Sequence, residues 1–195
     1  MEEKIENLNL TDIIKSTIIF LEKNDYESLH LMESNTLEQS IINFNKDYSE
    51  ICVMIYGLRK IISKKHISQT DSWHEYKKLI LENLNESLKV YREEDHSKFN
   101  NYVKNIIELL RRADQELGRY VSIVIDDGRI KLASTAYAYG LSASQASDLL
   151  SISKEQLMSY VGITKMPDED KSFRSISERA HILEVMTEKD KGDKK

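Results

Sequence analysis

Two Glu-x-x-His sequences, Glu27 to His30 and Glu93 to His96, have the spacing that di-metal carboxylate bundles use to place a glutamate and a histidine on one helix face. Bundle ligands project inward from mid-helix, whereas both pairs are expected at helix ends or turns, and Glu93-Glu94-Asp95 has the composition of a solvated acidic corner. No metal site is expected from them. HExxH, P-loop and GxGxxG patterns do not occur. Arg111-Arg112, with Asp114, Glu116 and Arg119 close by, has the spacing of a charged helix face paired at i,i+4 rather than that of a phosphate clamp. Cys52 is the only cysteine, so neither an intramolecular disulfide nor a thiolate cluster within one chain can form. In "EICVMIY" it is expected to pack as a small apolar residue. These features predict no enzyme and no cofactor.

Recognition chemistry is better represented near the C-terminal end. A short helix over residues 154–161 that turns Leu157, Tyr160 and Val161 inward leaves Lys154, Glu155, Met158 and Ser159 facing out. Lys154 and Ser159 are suited to a phosphate or a base edge, with Lys131 and Lys165 expected near phosphate. Glu155 can accept from cytosine but repels phosphate, and Met158 offers no polar readout. A methionine beside a carboxylate suits a protein partner equally well. A positive strip beside residues 154–159 would favour double-stranded DNA, and an apolar patch centred on Met158 a protein.

The elements that must position these side chains are written in caps and breaks. Ser142 is followed at capping-box spacing by Gln145, and Ser153 by Gln156, so each helix start can satisfy its own orphan amides. Gly140 stands where the preceding helix needs a residue that tolerates the left-handed region. The resulting order is helix, break, short helix, tight turn at 151–153, short helix, which is the layout of a tri-helical helix-turn-helix unit. Leu150, Ile152 and Leu157 fall at the positions such a unit buries.

At these residues the sequence resembles the helix-turn-helix superfamily and, more closely, a pattern found in small archaeal helical proteins and in some prokaryotic antitoxins. "LGRYV" at 117–121 and "GRIKLASTAYAYGLS" at 128–142 carry the archaeal resemblance, which covers the second half of the chain closely and the first half loosely. Ser147 and Ser151 depart from it, standing where the usual residues are alanine and glycine. The resemblance implies a fold and an antitoxin-like lobe, and no particular activity.

Upstream, one proline and six glycines, with no hairpin-style Asn-Gly or Asp-Gly, argue for an all-α protein. The β-branched "YVSIVI" before "IDDGRI" leaves residues 121–130 open between a short strand and a helix kink. Helix starts are predicted at Thr11, within "NDYESLHLM", at a Thr36/Gln39 capping box opening a long helix to about "SKKHISQ", at a Ser72/Glu75 box, and at Asp95. The expected organisation is a helical bundle over 1–125, a helix-turn-helix lobe over 126–166, and a charged tail over 167–195 with a short helix capped by Ser175. Of Tyr137 and Tyr139, one is expected in the core and one at the surface.

With 40% hydrophobic and 31% charged residues in 195, the composition is that of a folded globular chain. No apolar run approaches the ~20 residues a bilayer span needs, and the acidic "MEEKIE" is the wrong flank for a secretory signal. A cytoplasmic protein without membrane contact is expected. The net charge of −5 works against nucleic-acid binding, although residues 129–164 carry three basic residues against two acidic. Two functions follow from the residues: a DNA-binding transcriptional regulator dimerised through its bundle, or an adaptor or antitoxin-like protein that binds a protein partner.

Overall fold

The computed structural model describes residues 8–117 and 122–163. Within them the chain is all-helical and holds no strand: α1 Leu10–Lys23, α2 Tyr26–Asn43, α3 Lys46–Ile62, α4 Lys65–Ser68, α5 Asp71–Arg92, α6 His96–Leu117, α7 Ser122–Ala138, α8 Ala143–Leu149 and α9 Lys154–Ile163. Residues 122–130 are thus helical, and the boundary expected after residue 125 falls inside α7. The predicted tail helix at Ser175 lies outside the described residues.

Helix boundaries follow local capping chemistry, and several differ from expectation. α1 starts behind Asn9, whose side chain accepts from the Asp12 amide at 2.9 Å, two residues before Thr11. α2 starts behind Asp25, whose carboxylate takes the amide and hydroxyl of Ser28 at 3.0 and 2.7 Å. It then runs without interruption to Asn43, so the predicted start at Thr36 does not exist. Nothing between Tyr26 and Asn43 breaks a helix, and a mid-helix threonine can instead donate to the carbonyl one turn back. Thr36 does so, to Met32 at 2.7 Å. The break comes at Phe44, in the left-handed region at φ 45°, and at Asn45, which caps α3 through the Asp47 amide at 2.7 Å. α5 is capped by Thr70 rather than Ser72. Asp95 caps α6 as predicted, accepting from the Lys98 amide at 3.0 Å.

α2 packs along α3 and α5 along α6, while α1 lies against α2 and α5, and α7 crosses α3. One hydrophobic core runs through them, including Cys52, Trp73, Phe99 and Ile125, and extends without a gap to Leu149, Leu150 and Leu157. Tyr139 is buried in it and Tyr137 is exposed. The α3–α7 crossing is close because Gly128 lacks a side chain. A Cβ there would stand 2.7 Å from two ring carbons of Tyr56. Between α2 and α3 a buried ion pair takes the place of apolar packing. Arg59 donates to both carboxylate oxygens of Glu33, at 2.6 and 3.2 Å, and to the Tyr26 hydroxyl at 2.9 Å.

Candidate functional site

α8 and α9 are short, so their ends decide their geometry. Ser142 accepts from the Gln145 amide at 3.2 Å while Gln145 accepts from the Ser142 amide at 2.9 Å. Ser153 and Gln156 repeat the exchange at 3.1 and 2.9 Å. Both capping boxes are closed. α7 ends at Gly140, φ 106°, and α8 at Ser151, φ 55°, each in the left-handed region. After α8 the Ile152 amide reaches back to the Ser147 carbonyl at 3.0 Å and the Ser151 amide to Asp148 at 3.3 Å, the paired bonds of a Schellman ending. A left-handed residue followed at once by a capping serine turns the chain within residues 151–153.

The apolar side of this unit is buried: Leu149, Leu150 and Leu157 are fully covered, and Ile152 and Val161 pack half-buried on the core. Lys154, Glu155, Met158 and Ser159 stand exposed on one outward face of α9. Lys131 is exposed on α7, and Lys165 lies outside the described residues. Among the described residues Met158, 44% exposed, is the one exposed large apolar side chain of α9; the other exposed ones belong to α1, α2, α5 and α7 or to the residue after α2. Glu155 is turned toward the start of its own helix. Its own backbone amide and the Ser153 hydroxyl hold its carboxyl below the usual carboxylate range.

The α8–α9 turn is fastened to the rest of the molecule by residues that the sequence pattern does not single out. Ser49 of α3 donates to the Leu149 carbonyl at 2.7 Å, and Lys46 pairs with Asp148 at 2.9 Å. Arg129 of α7 donates to both carboxylate oxygens of Glu50, at 2.7 and 2.6 Å, and to the Leu150 carbonyl at 3.2 Å. Arg129 and Leu150 are 21 residues apart and the other partners 79 to 102, beyond any local pattern. Beside them opens a cleft of about 630 Å³ between α3, α6 and α7, with Lys46, Glu50, Lys104 and Arg129 in its wall.

Neither Glu-x-x-His pair is built into a ligand set. Glu27 and His30 lie in the first two turns of α2, Glu93 follows α5, and His96 opens α6. Among the described residues no group of three His, Cys, Asp or Glu side chains could hold a metal ion. Arg112 pairs with Glu108 along its own helix, as the charged-face reading expects, whereas Arg111 crosses to Asp126 of α7 at 3.0 Å. No helix among the described residues is long and apolar enough to cross a membrane.

No protein-family model matches this sequence, no curated protein is detectably similar to it, and no solved structure matches it.

Proposed function

We propose that α7, α8 and α9 act as a helix-turn-helix lobe on an N-terminal helical bundle, and that the protein is a regulator of transcription that binds double-stranded DNA. The observation that carries this reading is the outward face of α9. It follows a tight, doubly capped turn that is bonded to α3 from behind, and among the described residues it is left exposed. A recognition helix needs that arrangement, because it must enter the major groove while its own packing stays unchanged. Lys154 and Ser159 then reach base edges, and Lys131 and Lys165 the phosphates. A dimer formed through the bundle presents two such faces to successive major grooves about 34 Å apart. Glu155, whose carboxyl is held below the usual carboxylate range by its own helix start, keeps its negative charge and opposes this.

The test is titration of the purified protein with duplex DNA over a range of salt. Affinity that falls steeply and linearly in log–log form with added salt is the expected result. An absence of binding at low salt overturns the reading.

One observation favours a second reading, a protein adaptor or antitoxin-like protein. Met158 is the central exposed apolar side chain of the same face and is flanked by Glu155. A methionine so placed is suited to a partner's apolar groove. Met158→Lys separates the two: it strengthens or spares duplex binding if the face meets DNA, and abolishes complex formation if it meets a protein.

A further inference from the structure

The cleft between α3, α6 and α7 measures about 630 Å³, a size at which small-molecule sites are found. Val103 and Ile107, one turn apart on α6 and almost fully covered, give it an apolar floor. Most of the charges in its wall already have counter-ions. Lys46 pairs with Asp148 at 2.9 Å, Arg129 with Glu50 at 2.6 Å, Arg111 with Asp126 at 3.0 Å, and Glu108 with Arg112 at 3.4 Å. The two charged residues of the wall that remain are Asp47 and Lys104. Among the described residues neither forms an ion pair, and neither side chain makes a hydrogen bond.

These two groups are of opposite sign and line the same cleft without closing on each other. Asp47 lies toward the start of α6: the pKa of Tyr91 is raised first by burial and then by the Asp47 charge, and the Tyr91 ring packs 4.9 Å from that of Phe99. Asn100 follows Phe99, and Lys104 stands one turn further along the same side of α6. The ammonium is thus displaced along the cleft from the carboxylate. Asn100 and Asn105 add two side-chain amides, which make no hydrogen bond among the described residues. Each can both donate and accept.

A simple anion seated here would answer Lys104 and be repelled by Asp47, and a simple cation would meet the reverse. A molecule carrying both charges answers both, through charge-assisted hydrogen bonds, while an aliphatic group covers the floor. We propose that this cleft binds a small aliphatic zwitterion, a free amino acid or a short peptide with free termini, with its ammonium at Asp47 and its carboxylate at Lys104. The site stands whether the α9 face meets DNA or a protein. Amino acid and peptide share this chemistry and differ in how much of the cleft they fill.

The experiment titrates the full chain, followed by amide chemical shifts, with leucine, isoleucine and valine and with their homodipeptides. N-acetylleucine, which lacks the ammonium, and leucinamide, which lacks the carboxylate, serve as controls. The expected result is a saturable shift at residues 47, 100 and 104 with at least one zwitterion and much weaker binding of both controls; whether the amino acid or its dipeptide binds more tightly identifies the source. Lys104→Gln changes an exposed, unpaired side chain, and circular dichroism verifies its fold. It should weaken the zwitterion about tenfold and abolish the preference for it over leucinamide. Asp47→Asn should abolish the preference over N-acetylleucine; should that variant fail to fold, Lys104→Gln decides alone. Absence of a saturable shift with every zwitterion, equal binding of the singly charged controls, or an undiminished preference in Lys104→Gln overturns the proposal.

Discussion

Arg129 and Glu50 form a two-point ion pair, with both carboxylate oxygens engaged at 2.7 and 2.6 Å, and the same guanidinium holds the Leu150 carbonyl at the end of α8. The pair is largely screened from water, with side-chain exposures of 14% and 24%. One residue of α7 thus ties the start of α3 to the turn before α9, and the orientation of the outward face depends on it. Arg129→Met removes the tie and leaves Glu50 without its partner. We expect a loss of about 1–3 kcal/mol, below the range for fully buried pairs because both groups retain some solvent. Amide exchange at residues 148–152 should rise by more than the global change in stability accounts for. Protection unchanged at those amides would show that Ser49 and Lys46 suffice to hold the turn.

Ser151 and Ser147 are the two positions where the turn departs from the glycine and alanine of the resembling pattern, and each leaves a local cost. Ser151 is in the left-handed region at φ 55°, which is unfavourable for a residue with a Cβ. Ser147 is buried, and its hydroxyl has no hydrogen-bond partner among the described residues. Ser151→Gly should stabilise the protein by about 1 kcal/mol. Ser147→Ala should be neutral or stabilising, because it removes a buried donor that nothing satisfies. Denaturant midpoints of the two variants measure both effects.

The turn was the most legible part of the sequence because its determinants are local. Ser142, Gln145, Ser153 and Gln156 each act across three residues, and all four bonds are present. The same rule misplaced a helix start at Thr36, since Thr-x-x-Gln inside a long helix satisfies its hydroxyl through Met32 and needs no break. The true break, at Phe44, uses a residue with no composition signal for the left-handed region, and so was invisible. Of the candidate site, the outward set on α9 follows from helical periodicity alone. The residues that fasten it, Ser49, Glu50 and Arg129, come from two other helices, and single-sequence periodicity carries no term for such contacts.

Cys52 is fully buried, and its thiol donates to the Glu33 carbonyl at 3.4 Å. Burial, reinforced by the Glu33 charge, pushes its pKa well above the ordinary value. A raised acid pKa means that the folded state holds its proton where the unfolded chain has released it. The contribution is therefore complete below the unfolded value of about 8.5 and is lost as pH rises above it. Stability should decline with pH in that alkaline range, and Cys52→Ala should flatten the decline. Alkylation of Cys52 should proceed only at the rate of global opening. Rapid labelling of the folded protein in mildly alkaline buffer would contradict the buried position.

Gly128→Ala tests the close crossing of α7 over α3 at Tyr56. An alanine is the better helix former, by about 1 kcal/mol, so at an open position the substitution would stabilise α7. Here its methyl would stand 2.7 Å from two carbons of the Tyr56 ring, which is buried and cannot swing aside without moving α3 or α7. Overpacking of this kind costs about 1–3 kcal/mol and should outweigh the helix gain. Thermal unfolding of Gly128→Ala should therefore show a lower midpoint, and Tyr56→Leu in the same background should recover part of the loss by clearing the ring. A variant as stable as the original would mean that the helices are further apart than described.

Glu155→Gln bears directly on what the α9 face meets. The carboxylate is held by its own amide and the Ser153 hydroxyl, and its pKa lies below the ordinary value, so it remains ionised throughout the neutral range. Glutamine preserves an acceptor for those bonds and removes the charge. If the face meets DNA, the nearest phosphates lose a like charge, affinity for any duplex should increase several-fold at low salt, and the gain should shrink as salt screens it. Salt is the discriminating variable. A gain that persists undiminished at high salt would mean that the side chain acts on a base edge, accepting or donating there, rather than through its charge. Unchanged duplex affinity at every salt concentration would place residue 155 outside the interface altogether.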